Sequence, residues 1–248
     1  MLTTIDQVVA KLDQIVADSL RTSDRRGYFA ALYRRVTLAV KAGIASGRFA
    51  NGARMERLDV TFACRYFDAY DRRQSNEPTT ASWRTAFDAA SSSKFIVLQQ
   101  LLVGMNAHIN LDLGIAAAET CPGDEILQLE GDFRVINEIL SEQLDGVQAQ
   151  IDKISPWIGL LDRIGGRTDE MIANFGIRAA RELAWETALR LAPLDDAQRA
   201  PLIETLDEIV ATLGQAILRP GFLLSTALWL IRLRESSDVP RNISLLMS

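Results

Sequence analysis

The sequence predicts an all-α fold, a single-domain multi-helix bundle around a central buried helix at about 93–119. Three observations carry this. Apolar residues recur at helical spacing along nearly the whole chain. Sustained β-branched alternation, the mark of half-buried strands, is missing. Proline and glycine are sparse, 7 and 15 of 248 residues, and several of them punctuate the periodic stretches.

Helices are expected at about 3–20, 27–47, 53–74, 80–91, 93–119, 124–152, 156–163, 168–192, 196–217 and 221–234. The first, in TTIDQVVAKLDQIV, carries acids early and lacks the basic and apolar regions of a secretory signal. An arginine-rich run, Arg21 to Arg35, overlaps the start of the second and reads as a solvated helix end. The third presents Met55, Leu58, Phe62, Tyr66 and Ala69 on one face, with Asp59 at its edge, whereas Asp68 and Asp71 point elsewhere. Thr79 and Thr80 follow Pro78 and precede SWRTAFDAA as an N-cap region. KFIVLQQLLV fails as a strand on length and flanks, so it joins the central helix. Pro122-Gly123 breaks that helix, Ser155-Pro156 starts another, and Gly165-Gly166 ends it. Pro220-Gly221 separates the last two, and the C-terminal helices at 196–234 are expected to pack on the rest. GFLLSTALWLI is about half the roughly 20 residues that span a bilayer, so no transmembrane segment is expected.

Composition narrows function. The chain is 48% apolar and 24% charged, with a net charge of −5, and no basic face that would neutralise nucleic-acid phosphates. Cys64 and Cys121 form no CxxC pair, so reduced thiols in a cytoplasmic protein are the economical expectation. No GxSxG elbow, GxxxxGKS or GxGxxG loop is present.

The informative stretch is GMNAHINLDLG, residues 104–114, which holds the only histidine. At about 100° per residue, Val97, Leu101, Met105, His108, Asp112 and Ile115 share one side, and Gln99, Asn106 and Asn110 fall opposite. A helix apolar nearly all round is surrounded by neighbours, so each polar side chain on it needs a partner. His108 and Asp112, four apart, can touch, and a carboxylate beside an imidazole orients the ring as in general bases. The same pair in a helical core also serves as a structural clamp. Other helices direct polar groups inward too: Asp59, Asn137 beside Phe133 and Leu140, and the pair Arg178 and Glu182 beside Phe175, Ala179 and Leu189. Together these define a polar centre in a bundle core, where small-molecule sites occur.

The blocks RMERLDVTFACRYFDAY, SWRTAFDAA, VLQQLLVGMNAHINLDLG, DFRVINEIL and ARELAWETA resemble an uncharacterised bacterial and fungal helical family, a domain of unknown function, over roughly residues 26–192. GMNAHINLDLG is the most specific block. The resemblance implies a helical fold and no catalytic residues. The family pattern carries histidine where this chain has Gln100, which weakens a two-histidine metal site.

Two functions stand side by side at this point. One is a small-molecule enzyme acting on a largely apolar metabolite, with His108, Asp112 and Asp59 as its acid–base set and Asn106, Asn137, Arg178, Glu182 and Tyr66 binding the substrate. No cofactor is required, although His108 with Asp59, Asp112 and Glu182 offers donors for a single divalent metal. The other is a non-catalytic helical binding or interaction module whose buried polar cluster is structural.

Overall fold

The computed structural model describes residues 2–161 and 177–248; among them the chain is mainly helical and holds no strand. Helices α1 (Ile5–Thr22), α2 (Arg26–Ala45), α3 (Gly52–Gln74) and α4 (Ala81–Ala90) lead into a central rod of three segments. These are α5 (Val97–Met105), a π-helical stretch (Asn106–Leu113) and α6 (Gly114–Thr120). A 3-10 turn at Gly123–Glu125 precedes α7 (Ile126–Ile154), and then come α8 (Ile177–Leu191), α9 (Asp196–Leu218), α10 (Phe222–Arg234) and α11 (Val239–Met247).

Local chemistry sets the helix ends. Thr4 opens α1 with a capping box: its hydroxyl accepts from the Gln7 amide while the Gln7 side chain accepts from the Thr4 amide, each at 3.3 Å. Thr80 caps α4, and Asp207 of α9 takes the Ala81 and Ser82 amides at 2.6 and 2.9 Å. Asp132 of α7 does the same for the start of α3, accepting from the Ala50 and Asn51 amides and pairing with Arg54 at 2.8 Å. Acids on one helix thus satisfy the orphan donors of another, which ties helix ends together across the bundle.

The rod starts at Val97 rather than near 93. The Val97 amide donates to the buried carboxylate of Glu235, just past α10, at 3.0 Å, and Ile96 before it is extended. Val97–Thr120 is apolar and long enough to cross a membrane by length and composition, with a mean hydropathy of 1.3; 89% of that window is buried inside the bundle. Its first part, Val97 to Ala107, belongs to an apolar cluster with α1, α2, α4, α10 and α11. Leu111 to Ala118 belong to a second, with α7, α8 and α9. The π stretch lies where the two clusters meet.

The two glycines that bracket the motif permit this crowding. A Cβ on Gly104 would stand 2.6 Å from Phe29 Cδ2 of α2, and one on Gly114 would stand 2.6 Å from the Ala184 carbonyl oxygen of α8. Only a residue without a side chain lets both helices approach so closely.

Three expectations need adjustment. Val239–Met247 is helical and was not anticipated, although Asp238 caps it by accepting from the Arg241 amide at 3.0 Å and Pro240 stands in its first turn. Pro156–Gly159 is a turn, Leu160 and Leu161 after it are helical, and the last two residues of the expected helix at 156–163 lie outside the described residues, as does the start of the one at 168–192. The central helix is not uniformly α, so the 100° spacing fails within it.

Candidate functional site

α2, α3, α7, α8 and the central rod line a partly open cavity of about 130 Å³. Leu98, Leu101, Leu102, Val147 and Ile151 are among its walls, and the polar residues on it are Tyr33, Asp59, His108, Gln143 and Arg181. The volume approaches that of apolar protein cavities that admit a benzene-sized guest, about 150 Å³.

His108 is 4% exposed and fixed on every side. Its ring stacks on Phe62 with centroids 3.6 Å apart and planes 7° from parallel, and Tyr33 meets it edge-on at 4.5 Å. Nδ1 faces Asp112 Oδ2 at 3.5 Å. Asp112 is itself held by Trp83 Nε1 at 2.8 Å and by Arg65 Nε at 3.1 Å. A carboxylate that accepts from two other donors presents an acceptor to Nδ1, which places the ring proton there and leaves a lone pair on Nε2. Nε2 is buried and has no hydrogen-bond partner among the described residues. Burial pushes the His108 pKa down, and Asp112 pulls it back only in part, so the ring is neutral at neutral pH.

Two neighbours on the cavity share that condition. Asp59 Oδ2 and Tyr33 Oη are buried without partners among the described residues. Burial, helped by the charge of Glu56, raises the Asp59 pKa from 3.8 to about 7. Burial also drives the Tyr33 phenol well above its ordinary value, with Asp59 and Asp112 adding to the effect. Buried polar atoms are nearly always bonded, so three orphans on residues lining one apolar cavity leave hydrogen-bonding positions there for a bound molecule or water. Other orphans, such as Asn242 Oδ1, are spread through the core.

The structure redistributes several expected site residues. Asn106 turns away from the cavity: its Nδ2 donates to the Val210 carbonyl of α9 at 2.8 Å and its Oδ1 accepts from Asn110 at 2.9 Å. Tyr66 is buried in the aromatic wall behind the cavity, against Phe29 and Trp83 with centroids 5.1 Å away in each case. Asp112 lines an outer cleft with Arg65, Trp83 and Glu119, so it backs the histidine from outside the cavity. Glu182 is exposed. The Arg178 side chain lies outside the described residues. Asn137 is half-buried, and its Oδ1 accepts from Arg181 Nε.

Arg181 and Tyr33 escaped the sequence reading. Phe29, Tyr33, Val36 and Val40 stand at i, i+4, i+7 and i+11, a stripe that was there to be read. Arg181 was harder to find, because the buried face of α8 is Ala180, Ala184, Ala188 and Leu191, while the larger Leu183 and Leu189 are each 37% exposed.

The donor set considered for a metal is not assembled: Glu182 faces out and Asp112 is bound to Arg65 and Trp83. Among the described residues no three His, Cys, Asp or Glu side chains come together as metal ligands. Gln100 faces a separate pocket of about 20 Å³ and does not line the His108 cavity.

No curated protein and no solved structure matches the chain. A family model described as a family of unknown function, DUF5995, matches residues 5–220, which takes in α1 through α9 together with the whole cavity lining. The chain belongs to that family.

Proposed function

We propose that this protein is an acid–base enzyme for a small, largely apolar molecule that carries an oxygen function. The observation that carries this reading is the His108 imidazole, backed by Asp112 on Nδ1 and bare on Nε2 at an apolar cavity. Nε2 removes a proton from the bound molecule. Asp112 stabilises the imidazolium that forms, and so acts through His108 rather than on the substrate. The Asp59 carboxyl, still protonated below about pH 7, donates to the substrate oxygen on which negative charge develops, and the Tyr33 hydroxyl assists. Apolar walls keep water from competing for these groups and strengthen each interaction. The two unpaired cysteines, Cys64 and Cys121, favour a cytoplasmic setting.

The test is proton exchange in heavy water. Small apolar ketones, aldehydes and acids are incubated with the protein, and deuterium entering next to the carbonyl is followed by NMR. Wild type should exchange at least one probe, and His108→Asn, checked for a near-native melting curve, should not. Binding without exchange in wild type would favour the binding module. Exchange that survives His108→Asn would remove the histidine from the mechanism.

A further inference from the structure

We infer that the cavity takes an apolar carboxylic acid, with its carboxylate held by Arg181. This rests on the reading of the cavity as a small-molecule site and names the ligand class. Arg181 projects from α8 to the cavity wall and is 4% exposed. Its Nε donates to Asn137 Oδ1, its Nη2 donates to the Phe133 carbonyl oxygen at 2.8 Å, and its guanidinium lies over the Phe133 ring at 4.4 Å. These contacts fix the fork without neutralising it. Among the described residues no carboxylate pairs with it, whereas the other buried arginine, Arg54, has Asp132. Burial lowers the Arg181 pKa to about 9, which still leaves it charged at neutral pH.

The Arg181 charge therefore has no paired carboxylate among the described residues, and the other ionisable groups on the cavity are a neutral imidazole, a phenol and the Asp59 carboxyl, which burial keeps protonated below about pH 7. A guanidinium has five N–H donors, and two are committed here. The remaining three present the paired geometry that a planar carboxylate matches. A phosphate dianion would need further cations, and the cavity lining holds no lysine and no second arginine. The rest of the lining, Leu98, Leu102, Leu140 and Val147 among it, suits an apolar body.

The test is calorimetric titration of the full chain with pentanoate, pentan-1-ol and pentylamine, which are close to the size the cavity admits. Pentanoate should bind about tenfold tighter than pentanol, the ratio that a charge-assisted hydrogen bond supports. Pentylamine should bind weakest. Arg181→Met, which keeps the side-chain bulk, should bring pentanoate down to pentanol, and Arg181→Lys should restore part of the preference. Pentanol equal to or tighter than pentanoate in wild type would overturn the inference while leaving the cavity reading in place. A preference that persists in Arg181→Met would also overturn it. If none of the three probes binds, the cavity reading fails and the inference fails with it.

Discussion

Replacing Asp59 with asparagine should stabilise the protein, by an amount that grows with pH. Asp59 is 8% exposed, its Oδ2 has no partner to lose, and burial raises its pKa from 3.8 to about 7. Between those two values the unfolded chain has released the proton and the folded chain has kept it. The folded state then binds more protons, so stability falls as pH rises, and the loss is complete above about pH 7. At about 1.4 kcal/mol per pH unit, the interval corresponds to about 4 kcal/mol. Asparagine has nearly the same shape and cannot ionise. Urea denaturation of wild type and Asp59→Asn at about pH 4 and about pH 8 reads the difference, provided the slope with urea is unchanged. The two proteins should be nearly equal at the lower pH, and the variant should lead by about 4 kcal/mol at the higher one. A variant no more stable at the higher pH, or a difference independent of pH, would refute the burial argument. Stability gained together with lost substrate turnover would mark Asp59 as a residue kept for function.

Turnover should follow a narrow bell: it rises as His108 loses its proton, below the ordinary 6.5, and falls as Asp59 ionises through about 7. A flat kcat/KM profile across that window would contradict the assigned roles. Asp112→Asn leaves one oxygen where Trp83, Arg65 and His108 had two, turns an NH2 donor toward at least one of them and removes the charge paired with Arg65, and should cost about 3 kcal/mol in urea denaturation, with less than about 1 kcal/mol counting against the network. Gly104→Ala should cost about 1–3 kcal/mol, because its new Cβ meets Phe29. Gly131→Ala, on the exposed face of α7 with nothing within 4 Å, should gain about 0.5–1 kcal/mol.

The helix boundaries that were legible in the sequence are those written in local chemistry. Thr80, Pro122-Gly123 and Pro220-Gly221 act on their immediate neighbours, and the structure breaks helices there. The Asp238-Val239-Pro240 signal was equally local and was passed over. The start of α5 was not local, because it depends on Glu235, far along the chain. The contact of His108 with Asp112 was legible because a short polar pattern in an apolar helix needs partners, and the burial of Asp59 because it stands at the edge of the apolar face of α3. Their relative positions were not, because the π stretch has i to i+5 bonding and wider turns than the assumed spacing. It leaves His108 and Met105 on the cavity and Asp112 on the outer cleft, although a regular helix would align all three. In α8, weighting by apolar size favoured Leu189 and missed an alanine face, and with it Arg181. That face is small because α8 must approach Gly114 closely, a requirement that lies on another helix.

The chain has a single histidine, so imidazole nitrogen NMR on protein labelled at histidine gives one unambiguous pair of signals. Following them across pH tests the arrangement around His108 directly. The expected result is a neutral ring at neutral pH, protonated on Nδ1 and bare on Nε2, that titrates below the ordinary 6.5. An imidazolium at neutral pH, or a ring with its proton on Nε2, would contradict it.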